Sequence, residues 1–152
     1  MSTLNSGPYF IKSAGAEKFI GRARVEYRSL QPKRILLRTT DGSEPPVIFK
    51  FELKKQGDTF EIATRGGAIA SIDDKLYAVL MPEEPIQQWI IKDIPQQGQN
   101  KYLITTNQED RGWGSPKDDP GAQIELVKLV HSIPRPLQLP HNQIWEIVPV
   151  AQ

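Results

Sequence analysis

One short element recurs three times along this chain of 152 residues, and no other feature limits the fold as much. An aromatic residue, one spacer and an isoleucine follow a polar turn. The three copies are Gly7-Pro8-Tyr9-Phe10-Ile11, Gly57-Asp58-Thr59-Phe60-Glu61-Ile62 and Asn100-Lys101-Tyr102-Leu103-Ile104. A second element closes each unit: Phe49-Lys50-Phe51, Trp89-Ile90-Ile91 and Trp145-Glu146-Ile147. Between them each unit holds two further runs rich in β-formers, at residues 18–25 and 35–39, 68–72 and 76–80, and 112–114 and 123–129. Such runs, bounded by Gly, Pro, Asp and Asn, read as strands.

Four strands in each of three units make twelve. A single unit leaves an apolar face that it cannot bury alone, whereas three can close on one another. Closure also removes exposed strand edges. The expected fold is therefore all-β, a β-trefoil forming one domain over residues 1–152, with units at about 7–55, 56–94 and 95–150. Tyr9, Phe60, Tyr102 and the closing aromatics are expected in a shared core. Proline supports this reading. Thirteen prolines are spread along the chain, and each removes a backbone donor and interrupts a helix. No long apolar pattern of helical period is present.

Composition excludes several functions. The formal net charge is +1, with basic residues scattered rather than gathered in a stripe, so no nucleic-acid partner is expected. There is no cysteine, hence no disulfide framework, thiol nucleophile or Cys-type zinc site. The start, Met-Ser-Thr-Leu-Asn-Ser-Gly-Pro, does not read as a signal peptide. No apolar run approaches the roughly 20 residues of a membrane span. A cytoplasmic monomer with no membrane partner is expected.

Catalytic patterns are weak. His131 and His141 both lie in a proline-rich segment near the C-terminus. No nucleophile elbow and no glycine-rich phosphate loop occurs. Asp73-Asp74 and Asp118-Asp119-Pro120-Gly121 read as turn chemistry, without the ligand spacing of a calcium loop. No enzyme activity, cofactor or metal is expected. Gln87-Gln88-Trp89 and Gln143-Ile144-Trp145 both spell Gln-x-Trp, and they resemble the repeat signature of ricin-B-type trefoil lectins. Unit one departs, with Val47-Ile48-Phe49 at that place. A carbohydrate-binding lectin is the second reading.

A stronger resemblance runs from residue 7 to residue 150. The segments Gly21-Arg22-Ala23-Arg24-Val25-Glu26-Tyr27-Arg28-Ser29-Leu30, Ile72-Asp73-Asp74-Lys75-Leu76 and Arg111-Gly112-Trp113-Gly114-Ser115-Pro116 resemble the mushroom (basidiomycete) β-trefoil serine protease inhibitors. The resemblance implies a fungal defence protein whose partner is a trypsin-like serine protease. Members of that family do not all inhibit through the same loop, so the reactive residue is read from this chain.

An inhibitor of this kind presents a rigid loop that the protease binds as substrate. Trypsin-like enzymes select Arg or Lys through a pocket Asp, which an Arg meets with its planar fork. The loop between the second and third strands occurs three times. Unit one has Glu26-Tyr27-Arg28-Ser29-Leu30-Gln31-Pro32-Lys33, unit two only Asp73-Asp74-Lys75, and unit three Ser115-Pro116-Lys117-Asp118-Asp119-Pro120-Gly121. Two acids after Lys117 would sit beside the oxyanion hole and oppose the charge that develops there. Unit one places Arg28 before a small Ser29, with Pro32 stiffening the far stem. Arg28 and Ser29 are therefore the expected reactive site, flanked by Glu26, Tyr27, Leu30, Gln31 and Pro32. Arg135 is followed by Pro136 and makes a poor substrate-like bond. Arg65 is followed by Gly66-Gly67, which is costly to order.

Overall fold

Strands form where buried and exposed positions alternate. In Thr59–Thr64 the side chains of Phe60, Ile62 and Thr64 point inward while their neighbours are half-exposed, the period of two expected for a sheet with one dry face. The computed structural model describes residues 4–23, 30–38, 49–81, 86–95, 98–129 and 141–150. Its strands are β1 (Gly7–Ser13), β2 (Lys18–Gly21), β3 (Lys33–Arg34), β4 (Leu36–Arg38), β5 (Phe51–Gln56), β6 (Thr59–Thr64), β7 (Gly67–Ile72), β8 (Lys75–Val79), β9 (Ile90–Asp93), β10 (Lys101–Thr105), β11 (Arg111–Gly114), β12 (Glu125–Lys128) and β13 (Trp145–Pro149). The described residues hold no α-helix, only short 3-10 turns such as His141–Gln143.

The outer strands of each unit build a barrel. β1 pairs with β5 and β13, β5 with β6, and β10 with β9 and β13. The remaining seam is the bridge between Phe60 and Trp89, which exchange backbone hydrogen bonds of 2.7 and 2.8 Å. The inner strands form three hairpins, β2 with β4, β7 with β8 and β11 with β12. These hairpins are joined by β3 on β8 and by Glu125 opposite Lys75. Through β1 and β13 the sheet closes on itself.

One of the twelve expected strands is split. Residues 33–38 carry β3 and β4 with Ile35 between them. The Ile35 N–H donates to the Leu76 carbonyl and its own carbonyl accepts from Ile124. The chain thus leaves one partner strand for another at this residue, and the ladder breaks there. The closing aromatics Phe49 and Trp89 likewise precede their strands rather than lie within them.

Ile11, Phe60, Ile62, Tyr102, Ile104 and the three tryptophans share one buried cluster, against which a half-buried Tyr9 packs. The Trp113 ring meets Trp89 edge-on at 5.4 Å and Trp145 at 6.3 Å, the geometry that aromatic quadrupoles favour. Trp89 donates its indole N–H to the Ile69 carbonyl and Trp145 to the Trp113 carbonyl. In unit one Phe49 occupies the corresponding place, its ring against Gly21, where an added Cβ would lie 3.3 Å from it.

Candidate functional site

The loop that joins β2 to β3 leaves the hairpin layer at Arg22 and returns at Lys33. Glu26, Tyr27, Arg28 and Ser29 lie outside the described residues. What the structure describes is how both stems are held.

At the first stem Arg22 is buried. Its guanidinium donates to the carbonyls of Arg65, at 3.0 Å, and Thr64, at 3.4 Å. Arg65 answers from the exposed side, donating from its own guanidinium to the Ala23 carbonyl at 3.0 Å. Thr64 is itself fully buried, and its hydroxyl donates to the Lys50 carbonyl. The first stem is therefore fastened to the turn between β6 and β7 by hydrogen bonds running in both directions. At the second stem Lys33 and Arg34 pair with Ala78 and Tyr77 of β8, and the fully buried Ile35 follows. Between these anchors Leu30 is 66% exposed, and Gln31 and Pro32 are exposed beside it. Both stems of the loop are thus held on the closed sheet.

The equivalent turns in the other units differ. Asp73 and Asp74 both adopt positive φ, 52° and 62°, and form the two-residue turn that suits a tight hairpin. Asp74 faces Arg111 at 3.4 Å, and its carbonyl accepts from Leu126. This turn is too short to enter a cleft. Lys117, Asp118 and Asp119 are exposed, and their segment is likewise held at both ends; the two acids after Lys117 are what set it apart from the loop of unit one. Ser115 exchanges backbone and side-chain hydrogen bonds with Asn142, and Gly121 donates to the Leu37 carbonyl. Arg135 and His131 lie outside the described residues, as does the His141 side chain. No group of three or more His, Asp or Glu side chains gathers among the described residues.

The Gln-x-Trp motifs serve the interior. Gln87 accepts from the Ser71 backbone and hydroxyl, and Gln143 is buried. Both tryptophans are fully buried, so none of their ring surface is left to stack on a sugar.

Sequence reasoning missed Arg22 and placed Arg65 among candidate reactive residues. Its actual partner, Ala23, is 42 positions away, and no local pattern announces such a contact. A signal was present in the turn itself. Hairpin turns of two residues at positive φ favour Asn-Gly or Asp-Gly, and this one is Arg65-Gly66, with φ of 50° and 82°.

Comparison with known proteins bears on the family and the fold. The family model described as peptidase inhibitor I66 matches residues 1–149. A serine protease inhibitor from Lentinula edodes is 33% identical over 147 residues, covering 96% of this chain and 98% of that one. A proteinase inhibitor from Coprinopsis cinerea superposes with a TM-score of 0.84 at 24% identity, over 97% of this chain and all of that one. A Macrolepiota procera ricin B-like lectin, solved in complex with lactose, gives 0.70 at 14% identity over 99% of this chain and all of that one. A designed 3-fold symmetric protein gives 0.65 at 16% identity, over 94% of this chain and 99% of that one. The solved structures speak to the fold, and the whole-length family match settles kinship: the chain belongs to the peptidase inhibitor I66 family, a family of mushroom serine protease inhibitors.

Proposed function

We propose that this protein is a β-trefoil inhibitor of trypsin-like serine proteases. It acts by reversible docking of the β2–β3 loop into the protease active site, with no catalytic activity of its own. Family membership across the chain carries the inhibitory role. The trefoil reading is supported by the three hairpins over a closed barrel and by the fold shared with a designed three-fold protein. The loop assignment is supported by the two fastened stems and by the exposed Leu30, Gln31 and Pro32 between them.

In this reading Arg28 fills the specificity pocket, where its fork pairs with the pocket carboxylate. Arg28–Ser29 is the substrate-like bond, and Tyr27 and Leu30 contact the cleft rims on either side. The protein acts as a monomer in the fungal cytoplasm, as a defence protein that blocks trypsin-like proteases. The lectin reading shares the fold, and the buried tryptophans of both Gln-x-Trp motifs suit either reading; the family match over residues 1–149 favours the inhibitor.

A titration separates the two. Active trypsin mixed with increasing protein should lose activity on a small chromogenic substrate in a stoichiometric manner, while immobilised glycans should retain none of the protein. Full trypsin activity in molar excess of the protein would overturn the inhibitor reading, and specific elution from a glycan column by free sugar would support the lectin.

A further inference from the structure

We infer that Arg22 and Arg65 form a two-way clamp that keeps the β2–β3 loop an inhibitor rather than a substrate, which makes them positioning residues for the protease encounter. The inference rests on the β2–β3 loop being the protease-binding loop. Arg22, on the near stem of the loop, donates to the backbone of the β6–β7 turn, and Arg65, in that turn, donates to the backbone of the stem at Ala23. Each guanidinium therefore holds the other residue's segment, and neither segment can shift alone.

A second observation comes from the backbone. Arg65 sits in the left-handed region at φ 50°, which a side chain with a Cβ adopts at a cost. Strain of this kind persists where the surroundings over-determine it. Here the left-handed backbone belongs to the turn whose first residue reaches across to the Ala23 carbonyl, one residue before position 24, where the loop runs on toward Arg28. Gly66, at φ 82°, completes the turn. At Gly67 an added Cβ would lie 2.9 Å from the Ala78 Cβ, so the turn is packed directly on β8, the strand that holds the other stem through β3. The β6–β7 turn and β8, joined through the β7–β8 hairpin, thus hold both ends of the loop.

The chemistry explains why a clamp matters. A protease that binds a loop as substrate can cleave it. Cleavage proceeds when the two sides of the scissile bond separate, and religation or stalling prevails when they are held in place. Attack on the Arg28 carbonyl leaves the Arg28 side esterified to the protease serine and frees the Ser29 amine. With the Ala23 side released the two ends lose register, the amine no longer returns to the ester, and water completes the cleavage. Arg65 then affects both affinity, through the cost of ordering a loosened loop, and the rate at which the loop is consumed.

The test pairs Arg65→Ala, Arg65→Lys and Arg28→Glu with the parent. Each is titrated against trypsin, and loop cleavage in the complex is followed over hours by mass spectrometry. Arg65→Ala should weaken inhibition about tenfold or more, the worth of one hydrogen bond from a charged donor, and should speed cleavage within residues 24–29 with its thermal midpoint within a few degrees of the parent. Arg65→Lys, which still offers a donor to the Ala23 carbonyl, should recover part of both. Arg28→Glu should not inhibit. If Arg65→Ala inhibits and resists cleavage like the parent while Arg28→Glu is inactive, the clamp is wrong and the loop assignment stands. If Arg65→Ala loses affinity with no gain in cleavage, Arg65 touches the protease directly and the clamp is equally wrong. If Arg28→Glu still titrates trypsin, the loop assignment falls and takes the clamp with it.

Discussion

Single side chains in this protein divide between those whose partners are local and those whose partners are distant, and the division decides what could be read in advance. Tyr102, Phe60, Trp89 and Trp145 announce their burial through a period of two and a repeat of three. Arg28 is proposed from comparison within the chain, since three equivalent loops stand side by side in the sequence, and it lies outside the described residues. The Arg22–Arg65 pair could not be found that way, because its hydrogen bonds join segments that are adjacent only after folding. Two outcomes follow for single residues. Trp145→Phe leaves the Trp113 carbonyl without its indole donor in the dry core, which should cost about 1–3 kcal/mol of stability, measured by urea unfolding, with trypsin inhibition intact. Within the proposed reactive site, Arg28→Lys should keep much of the inhibition, because a cation still reaches the pocket carboxylate without the bidentate fork. Arg28→Leu should turn preference toward chymotrypsin-like pockets, which are apolar.

Among the elements, strand existence was legible, and strand boundaries only where a short turn fixed them. The runs at 68–72 and 76–80 correspond to β7 and β8 almost residue for residue, because a short turn and clean alternation bound them. The run at 35–39 reads as one strand, but β4 begins only at Leu36, Ile35 lies between β3 and β4, and β3 precedes the run at Lys33–Arg34. Ile35 is as apolar and β-prone as its neighbours, and only the pairing with two different strands breaks the ladder there. Close approach between elements is equally invisible to composition. At Gly67, where β7 begins, a Cβ would meet the Ala78 Cβ at 2.9 Å and the Ala78 backbone at 3.2 Å. Backbone and a β-carbon cannot swing aside, so Gly67→Ala should destabilise by about 1–3 kcal/mol, the usual cost of overpacking. A denaturation midpoint equal to the parent's would show that the β7–β8 hairpin is more pliable than this packing implies.

For the molecule as a whole, closure is the decisive event. The barrel is shut by the last strand, since β13 pairs with both β1 and β10 and brings the fully buried Trp145 into the core. Lys101 and Glu146, directly opposite in that register, add a cross-strand ion pair at 3.3 Å. Removing residues 144–152 should therefore abolish cooperative thermal unfolding rather than lower its midpoint, as followed by near-ultraviolet circular dichroism. A truncated chain that still melted in one sharp transition would mean that the barrel does not depend on its final strand. The three-fold pattern of the sequence carried this architecture, because each unit leaves a face that only the other two can cover. In the proposed function the β2–β3 loop of unit one is the part that meets the protease. The measurement that bears most directly on this account is a titration of active trypsin with the parent and with Arg28→Glu at matched concentration and thermal midpoint. We expect the parent to extinguish activity at an equimolar ratio and the variant to leave it untouched, since a carboxylate would be driven against the pocket's own. An Arg28→Glu protein that still titrated trypsin one-to-one would contradict the assignment of the β2–β3 loop.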